Sequence, residues 1–421
     1  MGARAETVAR LREASKSLRS MPDGEVVDSL ARALKLWEGE EGLAVRAARE
    51  LAAPRKQSED MLRFGLNRMI HAHSRTALAF WVSEARVEAG RHLALKSPQK
   101  PLPDLGNLRG PAVVAQILAG NVPALAVPAA LEALLARSAV VLKPADEDTI
   151  SAQLFKESLD QAAPELSGCV AVERWSGGND IAEAEVFAAV DYVVASGGSQ
   201  MVQSLTKRLS SKPHMLYGPR ISIGVVGMGW LDAPGSWWED VAREIALWDQ
   251  RGCLSPRILF VAGDPERFAR RLAPAMSKLE ERWPAGPASL GSGTNIISFR
   301  APYEMAKEGK AGIFASKGTA WTVVWDHSTS LEVGPPARAV RITTRPSARD
   351  LEALLIKAKG MVQGAGLDFL VRGDVEWRRG LEHGGVGWVA PLTSIQDPPA
   401  GWRADGRSGL AELLARGTPS N

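Results

Sequence analysis

The amino-acid sequence predicts an α/β protein with parallel sheets behind a helical N-terminal region. The chain has 421 residues, too many for one ordinary hydrophobic core, so two or three domains are expected. Up to about residue 100 the apolar side chains recur at helical spacing. Beyond that point strand-like runs alternate with helical stretches, a pattern typical of parallel sheets covered by helices.

The predicted elements follow in chain order. Helical spacing in the N-terminal region is kept by Val26, Val27, Leu30, Leu34 and Trp37, and again by Leu62, Leu66 and Ile70. A Pro-rich connector at residues 97–103 then ends this region. Strands are predicted at Ala112–Leu118, Ala139–Lys143, Asp191–Ala195, Ile221–Val226, Ile258–Val261, Trp321–Trp325 and Ala339–Ile342. Helices are predicted at Ala124–Arg137, Ile150–Gln161, Ser236–Gln250 and Ala348–Lys359.

The overall composition disfavours several classes of protein. The net charge is +3 and no dense run of Lys and Arg occurs, so nucleic acid is not an expected partner. The two cysteines, Cys169 and Cys253, form no CxxC or Cys/His cluster, which argues against a disulfide framework and a metal site and favours the cytoplasm. No signal peptide is visible at the N-terminus. The uncharged segment Gly110–Leu131 contains Gln, Asn and three prolines, so a buried strand, turn and helix are expected rather than a membrane span.

Cys253 is the first candidate for chemistry. A helix capped by Ser236 is predicted up to about Gln250, with Gly252 at its C-terminal stop. Pro256 cannot continue that helix and a strand-like run follows, so Cys253 is expected in a tight helix-to-strand turn. Such loops are where α/β proteins display reactive groups. The buried face of the predicted helix consists of Trp237, Val241, Ile245 and Trp248.

A purely structural role stays open for both cysteines. A free cysteine is most often buried and inert, and thiolate character cannot be read from sequence. A helix C-terminus does not favour an anion, so a thiolate at Cys253 would need Arg251, Arg257 or a bound cofactor nearby. Cys169 lies in a strand-like run and is expected to be structural.

A turn at Asn121 is the second candidate. A strand ends before Gly120, and Pro123 is predicted to open a helix at a position where its missing N–H costs little. Asn121 would then either cap that helix or aim its amide at a developing oxyanion. The residues alone leave both roles open.

A third group of residues suits a nucleotide. The strand Ala139–Lys143 delivers Lys143 and then Asp146 to its carboxyl end, where open α/β sheets bind nucleotides. A lysine at a strand end is also commonly just solvated, and the usual G-x-G-x-x-G fingerprint is missing. Two glycine-rich turns would either let phosphates approach the backbone or be ordinary turns; they contain Gly177 and Gly178, and then Gly197, Gly198 and Ser199.

Taken in this order, the motifs resemble the aldehyde dehydrogenase superfamily. In that superfamily a strand, an Asn-x-Pro turn, a Val-Leu-Lys-Pro strand, a Gly-Ser phosphate turn and a cysteine loop follow one another, and the dinucleotide binds without the Rossmann glycine fingerprint. The separation of Asn121 from Cys253 is also similar. A closer resemblance is to the LuxC-like acyl-CoA reductases, and it is carried by residues 248–256, 217–222 and 401–406.

The resemblance implies an aldehyde-dehydrogenase-like fold with two parallel-sheet α/β domains. Residues 1–100 would form the helical N-terminal region, and residues 101–215 the dinucleotide-binding domain that packs with it. Residues 216–395 would form the catalytic domain with Cys253, and residues 396–421 a C-terminal tail.

The resemblance also implies reduction of an acyl thioester to an aldehyde. Cys253 would take the acyl group from acyl-CoA or an acyl carrier, while the amide of Asn121 and the Cys253 N–H stabilise the oxyanion. NADPH or NADH would supply the hydride, with Lys143 at the adenosine ribose and the glycine turns near the pyrophosphate. Asp146 would repel a 2′-phosphate, so the choice of cofactor stays open. Glu332 matches, at a different spacing, the glutamate that holds the nicotinamide ribose.

One departure from the aldehyde-oxidising members is informative. They carry a Glu-Leu-Gly-Gly segment whose glutamate activates water, whereas here the segment is Tyr217-Gly218-Pro219. Without that base an acyl-enzyme would survive until hydride or another thiol takes it, so aldehyde oxidation is disfavoured.

The alternatives are a cysteine-dependent acyltransferase or thioesterase, and a non-catalytic subunit of an acyl-transfer complex. A homo-oligomer or an acyl-transfer partner subunit is among the expectations, and His214 is either a proton donor or structural.

Overall fold

The computed structural model describes residues 2–96, 99, 104–287, 290–369 and 374–417. Within these ranges five helices precede the first strand, which confirms the helical N-terminal region: α1 (Ala3–Ser20), α2 (Asp23–Lys35), α3 (Leu43–Arg55), α4 (Glu59–His71) and α5 (Arg75–Lys96). The Pro-rich connector predicted at residues 97–103 lies outside the described residues, apart from residue 99.

The first sheet has five parallel strands in the order β3-β2-β1-β4-β5. Its strands are β1 (Val113–Ile117), β2 (Ala139–Lys143), β3 (Val170–Val172), β4 (Tyr192–Ser196) and β5 (His214–Tyr217). Its helices are α6 (Ala126–Leu135), α7 (Thr149–Ala162), α8 (Pro164–Ser167), α9 (Asp180–Ala189) and α10 (Ser199–Arg208). The chain proceeds outward from β1 in one direction and resumes on its other side with β4, so a ligand-binding crevice is expected beyond the carboxyl ends of these two strands.

The second sheet has seven strands in the order β12-β11-β6-β7-β10-β9-β8. Its strands are β6 (Ile221–Val226), β7 (Pro256–Val261), β8 (Ala311–Ala315), β9 (Thr322–Asp326), β10 (Ala339–Thr344), β11 (Val362–Asp368) and β12 (Trp388–Ala390). The remaining helices are α11 (Gly235–Ala246), α12 (Pro265–Arg282), α13 (Leu290–Glu304), α14 (Ala348–Lys357), α15 (Asp374–His383) and α16 (Gly409–Arg416).

The prediction of parallel sheets is confirmed with one exception at the edge of the second sheet. Strand β8 pairs antiparallel with β9. Residues 316–321 between the two strands are too few for a crossover connection, so the pair forms a hairpin. The strand-like run at Cys169 is confirmed by β3, but β5, β8, β11 and β12 were not predicted, since they are short or, like β11, interrupted by glycines that break the apolar run.

The C-terminal helix α16 returns to the first half of the molecule. It packs against α5 and α6, and its side chains Leu410, Leu413 and Leu414 are fully buried in the same core as the N-terminal helices and the first sheet. The second sheet has separate cores on its two faces. The domain boundaries at residues 100, 215 and 395 stay predictions, while the two sheets themselves divide between Tyr217 and Ile221.

The uncharged segment that is long enough for a bilayer folds inside the protein. As predicted, it forms the buried strand β1, a turn, and the helix α6. Apolar residues on both faces of β1 are expected for a parallel strand covered by helices on both sides. Among the helices of the described ranges, none has the length and apolar character needed to cross a membrane.

Candidate active site

Cys253 lies in the connection between α11 and β7, but the helix before it ends earlier than predicted. Helix α11 stops at Ala246, and Pro234 rather than Ser236 is its N-terminal cap residue. Residues Trp248, Asp249 and Gln250 then adopt left-handed backbone angles, with φ of 58°, 52° and 63°. Three consecutive non-glycine residues in this region are costly and persist only where the surroundings fix them.

Long-range contacts fix this strained segment. The carboxylate of Asp249 accepts hydrogen bonds from Arg338, at 2.9 and 2.6 Å, and from the Gln57 amide at 3.1 Å. The Gln250 amide donates to the carbonyls of Pro256 and Ala339 at 2.8 and 2.9 Å. The segment before the cysteine is therefore tied both to the second sheet and to the N-terminal region.

The Cys253 thiol sits among groups that act on its charge in opposite directions. Burial, and then the carboxylate of Asp405, raise the pKa of Cys253 to about 11, although the backbone N–H groups of Cys253 and Leu254 and the Arg220 guanidinium favour the thiolate. The Ser222 hydroxyl donates to the Cys253 carbonyl at 2.8 Å and so holds the turn. The resting thiol is therefore neutral, and the N–H groups beside it are placed to stabilise negative charge.

Asn121 belongs to the turn after β1, next to the cysteine loop. Its Nδ2 donates to the carbonyl of Arg251 at 3.1 Å, two residues before Cys253. Its Oδ1 is buried and accepts no hydrogen bond from the described residues. The prediction that Pro123 opens the helix is wrong, because α6 begins at Ala126 and its first residues are preceded by an irregular turn. Asn121 is therefore not a helix cap.

A buried arginine connects the Asn121 turn to the cysteine loop, and sequence patterns did not reveal it. The Arg55 guanidinium donates to the carbonyls of Gly120 and Asn121, at 2.9 and 3.3 Å, and to the Gln57 amide oxygen at 2.7 Å. Gln57 in turn donates to Asp249. The two loops thus share one hydrogen-bonded support from the N-terminal region.

Cys253 opens onto a cavity of about 280 Å³. The cavity lies between helices α4 to α6, the ends of β1 and β4, and the segment 396–409. Most of its wall is apolar, as the side chains of Leu118, Leu125, Trp248 and Trp402 illustrate. An apolar cavity with a few placed polar groups is typical of a small-molecule site, and a hydrocarbon chain suits this one.

Tyr217, from the segment where the sequence lacks the glutamate of the aldehyde-oxidising members, lines the same cavity. Its hydroxyl donates to the Met215 sulfur at 3.1 Å, and burial raises its pKa above the usual range. A phenol that stays protonated cannot activate water at neutral pH.

His214, the histidine considered as a proton donor, begins β5, and its Nδ1 donates to the Lys212 carbonyl at 2.8 Å. The histidine that lines the cavity is His73 instead.

Most residues predicted to hold a nucleotide lie at the carboxyl edge of the first sheet. Lys143 is the last residue of β2 and is buried, with 8% of its surface exposed, whereas Asp146 is exposed in the following turn. The other residues of this group are Gly177 and Gly178 between β3 and α9, and Gly197, Gly198 and Ser199 between β4 and the start of α10.

These residues fit a dinucleotide. Gly198 precedes α10 without a side-chain cap, and a Cβ there would meet nothing within 4 Å, so the first N–H groups of the helix are open to a phosphate. Gly178 has a φ of 80°, which a glycine adopts without strain. Glu332 is exposed on the loop between β9 and β10, and Arg257 of β7 donates to the Gly334 carbonyl of that loop. The Glu332 loop is thereby tied to the strand that follows the cysteine.

The two sheets and the thiol-bearing cavity define the fold of the aldehyde dehydrogenase class. The fold is similar to that of a salicylaldehyde dehydrogenase from Pseudomonas putida G7, with a TM-score of 0.66, 15% identity and coverage of 92% of this chain and 81% of the other. It is also similar to an NAD-dependent benzaldehyde dehydrogenase from Corynebacterium glutamicum, with a TM-score of 0.63, 15% identity and coverage of 92% and 84%.

Within that class the chain belongs to the acyl-CoA reductase (LuxC) family, whose model matches residues 18–416. Long-chain acyl-protein thioester reductase 2 of Photobacterium leiognathi is 28% identical over 178 residues, 40% of this chain and 36% of the relative. The long-chain acyl-protein thioester reductase of Aliivibrio fischeri is 25% identical over 243 residues, 55% of this chain and 48% of the relative. The chain thus spans less than half the length of these two curated relatives.

Proposed function

We propose that the chain reduces an acyl thioester to an aldehyde through an acyl group held on Cys253, with NADPH or NADH as the reductant. The observation that carries the proposal is the placement of the Cys253 thiol in a largely apolar cavity beside the Asn121 turn. Membership in the acyl-CoA reductase family supports the same reaction. The names of the relatives specify an acyl-protein thioester, so the acyl carrier is either CoA or a protein.

The first half of the reaction uses the chain's own residues. The Cys253 thiol loses its proton as the thiolate attacks the thioester carbonyl, the bond to the carrier sulfur breaks, and the carrier leaves as the protonated thiol. The Cys253 N–H and the second N–H of the Asn121 amide are the donors available to the oxyanion. The pKa of about 11 means that the thiol must be activated when substrate and cofactor close the cavity.

The cofactor would be held at the carboxyl edge of the first sheet. When bound, a reduced nicotinamide dinucleotide supplies the hydride for the acyl carbon. Lys143 would bind the adenosine ribose or its 2′-phosphate, and the turn at Gly197 and Gly198 would hold the pyrophosphate against the start of α10. Asp146 is exposed three residues after Lys143, and its charge favours a free ribose hydroxyl over a 2′-phosphate. Because Lys143 favours a 2′-phosphate and Asp146 opposes it, we propose that both dinucleotides are used, and that Glu332 contacts the nicotinamide ribose.

The proposed reductase differs from a thioesterase because water does not hydrolyse its acyl-enzyme. A protonated Tyr217 gives water no base at that position, and the Glu132 carboxyl lies in the cavity wall on α6, so we propose that the acyl-enzyme persists. An acyltransferase would share the acyl-enzyme but would not consume the dinucleotide. Both cysteines are free, which suits a reducing compartment such as the cytoplasm, and we include that location in the proposal.

The test combines turnover with detection of the intermediate. Purified protein is incubated with acyl-CoAs of increasing length and NADPH or NADH, and dinucleotide oxidation and aldehyde are measured. Intact mass spectrometry without the dinucleotide should show one acyl adduct, absent in Cys253→Ala and retained in Cys169→Ala. Adduct without aldehyde would favour an acyltransferase, and neither product would overturn the proposal.

A further inference from the structure

The cavity that contains Cys253 has a polar group that the proposed chemistry does not use. Gln116, in the middle of β1, donates its amide to the carboxyl Oε2 of Glu132 on α6 at 3.4 Å, and both side chains line the cavity. Burial raises the pKa of Glu132 to about 7. A carboxyl group in a largely apolar wall is costly to bury and calls for a partner.

The register of the first sheet places this group away from the Asn121 turn. Gln116 of β1 and Leu118, one residue after the strand ends, both line the cavity, and Gln116 pairs in register with Val194 of β4. Since Leu118 leads directly into the Asn121 turn, Gln116 lies deeper along the strand by two residues, or about 7 Å. The polar group is thus at the inner end of the cavity.

The length of helix α6 independently indicates that Glu132 lies at the same depth in the cavity as Gln116. Leu125 and Glu132 both line the cavity and are seven residues apart, which is two helical turns or about 10 Å. Leu125 is next to the Asn121 turn, because α6 starts one residue later. An acyl chain attached to Cys253 would therefore pass Leu125 and end near Glu132.

The inner end is closed by backbone and by an arginine that already has partners. A Cβ at Gly409 would lie 2.0 Å from Oε1 of Glu132, so the first turn of α16 covers the carboxyl group. Arg407 also lines the cavity, but its guanidinium donates to the Leu216 carbonyl at 2.9 Å and lies 3.5 Å from the Asp405 carboxylate. Glu132 and Gln116 lie at this inner end and are placed to meet the end of a chain.

We propose that Glu132 and Gln116 make this enzyme selective for acyl thioesters whose chain carries a hydrogen-bond donor, a hydroxyl or an amino group, at its far end. The inference rests on the proposed function. A donor at the chain end bonds to the Glu132 carboxyl, and a hydroxyl also accepts from the Gln116 amide. A terminal methyl group would leave the carboxyl without that partner, and a terminal carboxylate would be repelled by it.

The test compares chain ends at equal chain length. For the parent protein, kcat/KM is measured with unsubstituted, ω-hydroxy and ω-carboxy acyl-CoAs of the same length across a length series. At the length that reaches the inner end, the ω-hydroxy substrate should exceed the unsubstituted one by about 10- to 100-fold, the cost of leaving a buried polar group unpaired. Glu132→Leu should abolish or invert this preference, and Glu132→Gln should retain part of it.

A binding measurement keeps the inference separate from turnover. The free ω-hydroxy fatty acid should raise the Tm of the parent more than the unsubstituted acid does, and this difference should vanish in Glu132→Leu. Glu84→Gln, an exposed glutamate on α5, is the control and should leave both preferences intact. Loss of all aldehyde formation with the Tm difference retained would count against the proposed function alone. The inference would be overturned if the parent used both chain ends equally or preferred the unsubstituted one. A preference for the ω-hydroxy chain that is unchanged in both Glu132 variants would also overturn it.

Discussion

The side-chain amide of Asn121 donates to the carbonyl of Arg251 across 3.1 Å, and this bond joins the two sheets next to Cys253. The two residues are 130 positions apart, so the bond exists only because both loops end at the same cavity. One N–H of the amide makes this bond, and the other is the proposed oxyanion donor. The arrangement leads to predictions on catalysis, on the thiol, on the support of the loops, on the cofactor and on stability.

Replacement of Asn121 by alanine should slow acylation of Cys253 by about 10²- to 10³-fold, the usual loss for one oxyanion donor. The rate is followed by intact mass after mixing with acyl-CoA. Alkylation of Cys253 by iodoacetamide should change little, because that reaction forms no oxyanion. Asn107→Ala, an exposed asparagine, is the matched control. A normal acylation rate in Asn121→Ala would show that the amide is only structural.

The reactivity of Cys253 should depend on pH and on Asp405. With a pKa of about 11, the thiol should be alkylated about tenfold faster per pH unit between pH 7 and 10. Asp405→Asn removes a negative charge that raises this pKa and frees Arg220, which it binds at 2.8 Å. Both effects lower the pKa, so alkylation at pH 8 should speed up by as much as about tenfold. Peptide mass spectrometry distinguishes alkylation of Cys253 from alkylation of Cys169. The control Asp397→Asn should leave the alkylation rate of Cys253 unchanged.

Arg55 should act on the rate without touching substrate. Arg55→Leu removes the donors to the carbonyls of Gly120 and Asn121, so the turn shifts relative to the cysteine loop. A displacement near 1 Å costs on the order of 10²-fold in rate, and kcat should fall while KM for the acyl-CoA stays close to the parent value. Arg46→Leu, an exposed arginine of the same helix, is the control. A loss of Tm alone, with kcat retained, would reduce Arg55 to a structural role.

Asp146 and Lys143 should control the dinucleotide. Asp146→Ser removes the exposed charge and should shift the NADPH to NADH ratio of kcat/KM toward NADPH by about tenfold, equal to about 1.4 kcal/mol. Lys143→Ala should raise KM for both dinucleotides. Steady-state kinetics with each cofactor measure the ratio, and Asp160→Ser, an exposed change on α7, should leave it unaltered. An unchanged ratio in Asp146→Ser would place the adenosine ribose elsewhere.

Glu132 should make the stability depend on pH in a defined direction. Burial raises its folded pKa to about 7 from 4.5, so between these values the folded state binds a proton that the unfolded state lacks. Stability is therefore lost as the pH rises from about 4.5 to about 7. Glu132→Gln removes this loss. The free energy of unfolding of Glu132→Gln, relative to that of the parent, should therefore be higher at pH 8 than at pH 4.5 by on the order of 2–3 kcal/mol. Urea unfolding at both pH values measures it, and an equal difference at each pH would contradict the assignment.

The fold and the order of its motifs could be predicted because both depend on local patterns. Strand β2 has the predicted bounds Ala139–Lys143, and β6 has the predicted bounds Ile221–Val226, since each is a continuous apolar run. The end of α11 was predicted four residues too late. Trp248 continues the apolar spacing of the helix, but Asp249 and Gln250 are held in left-handed conformations by partners distant in sequence. Tertiary contacts overrode the local periodicity there.

The sequence by itself determined the class of protein, the loop that carries Cys253 and the Tyr217-Gly218-Pro219 segment without a carboxylate, because each rests on residues that are neighbours along the chain. The tertiary structure alone decided that Arg55, Gln57 and Asp249 support both loops, and that Gln116 faces Glu132 at the inner end of the cavity. Gln116 in a hydrophobic strand and Glu132 in an apolar helix carry no pattern of their own. Their chemistry arises only when the strand register and the helix packing bring them to one cavity.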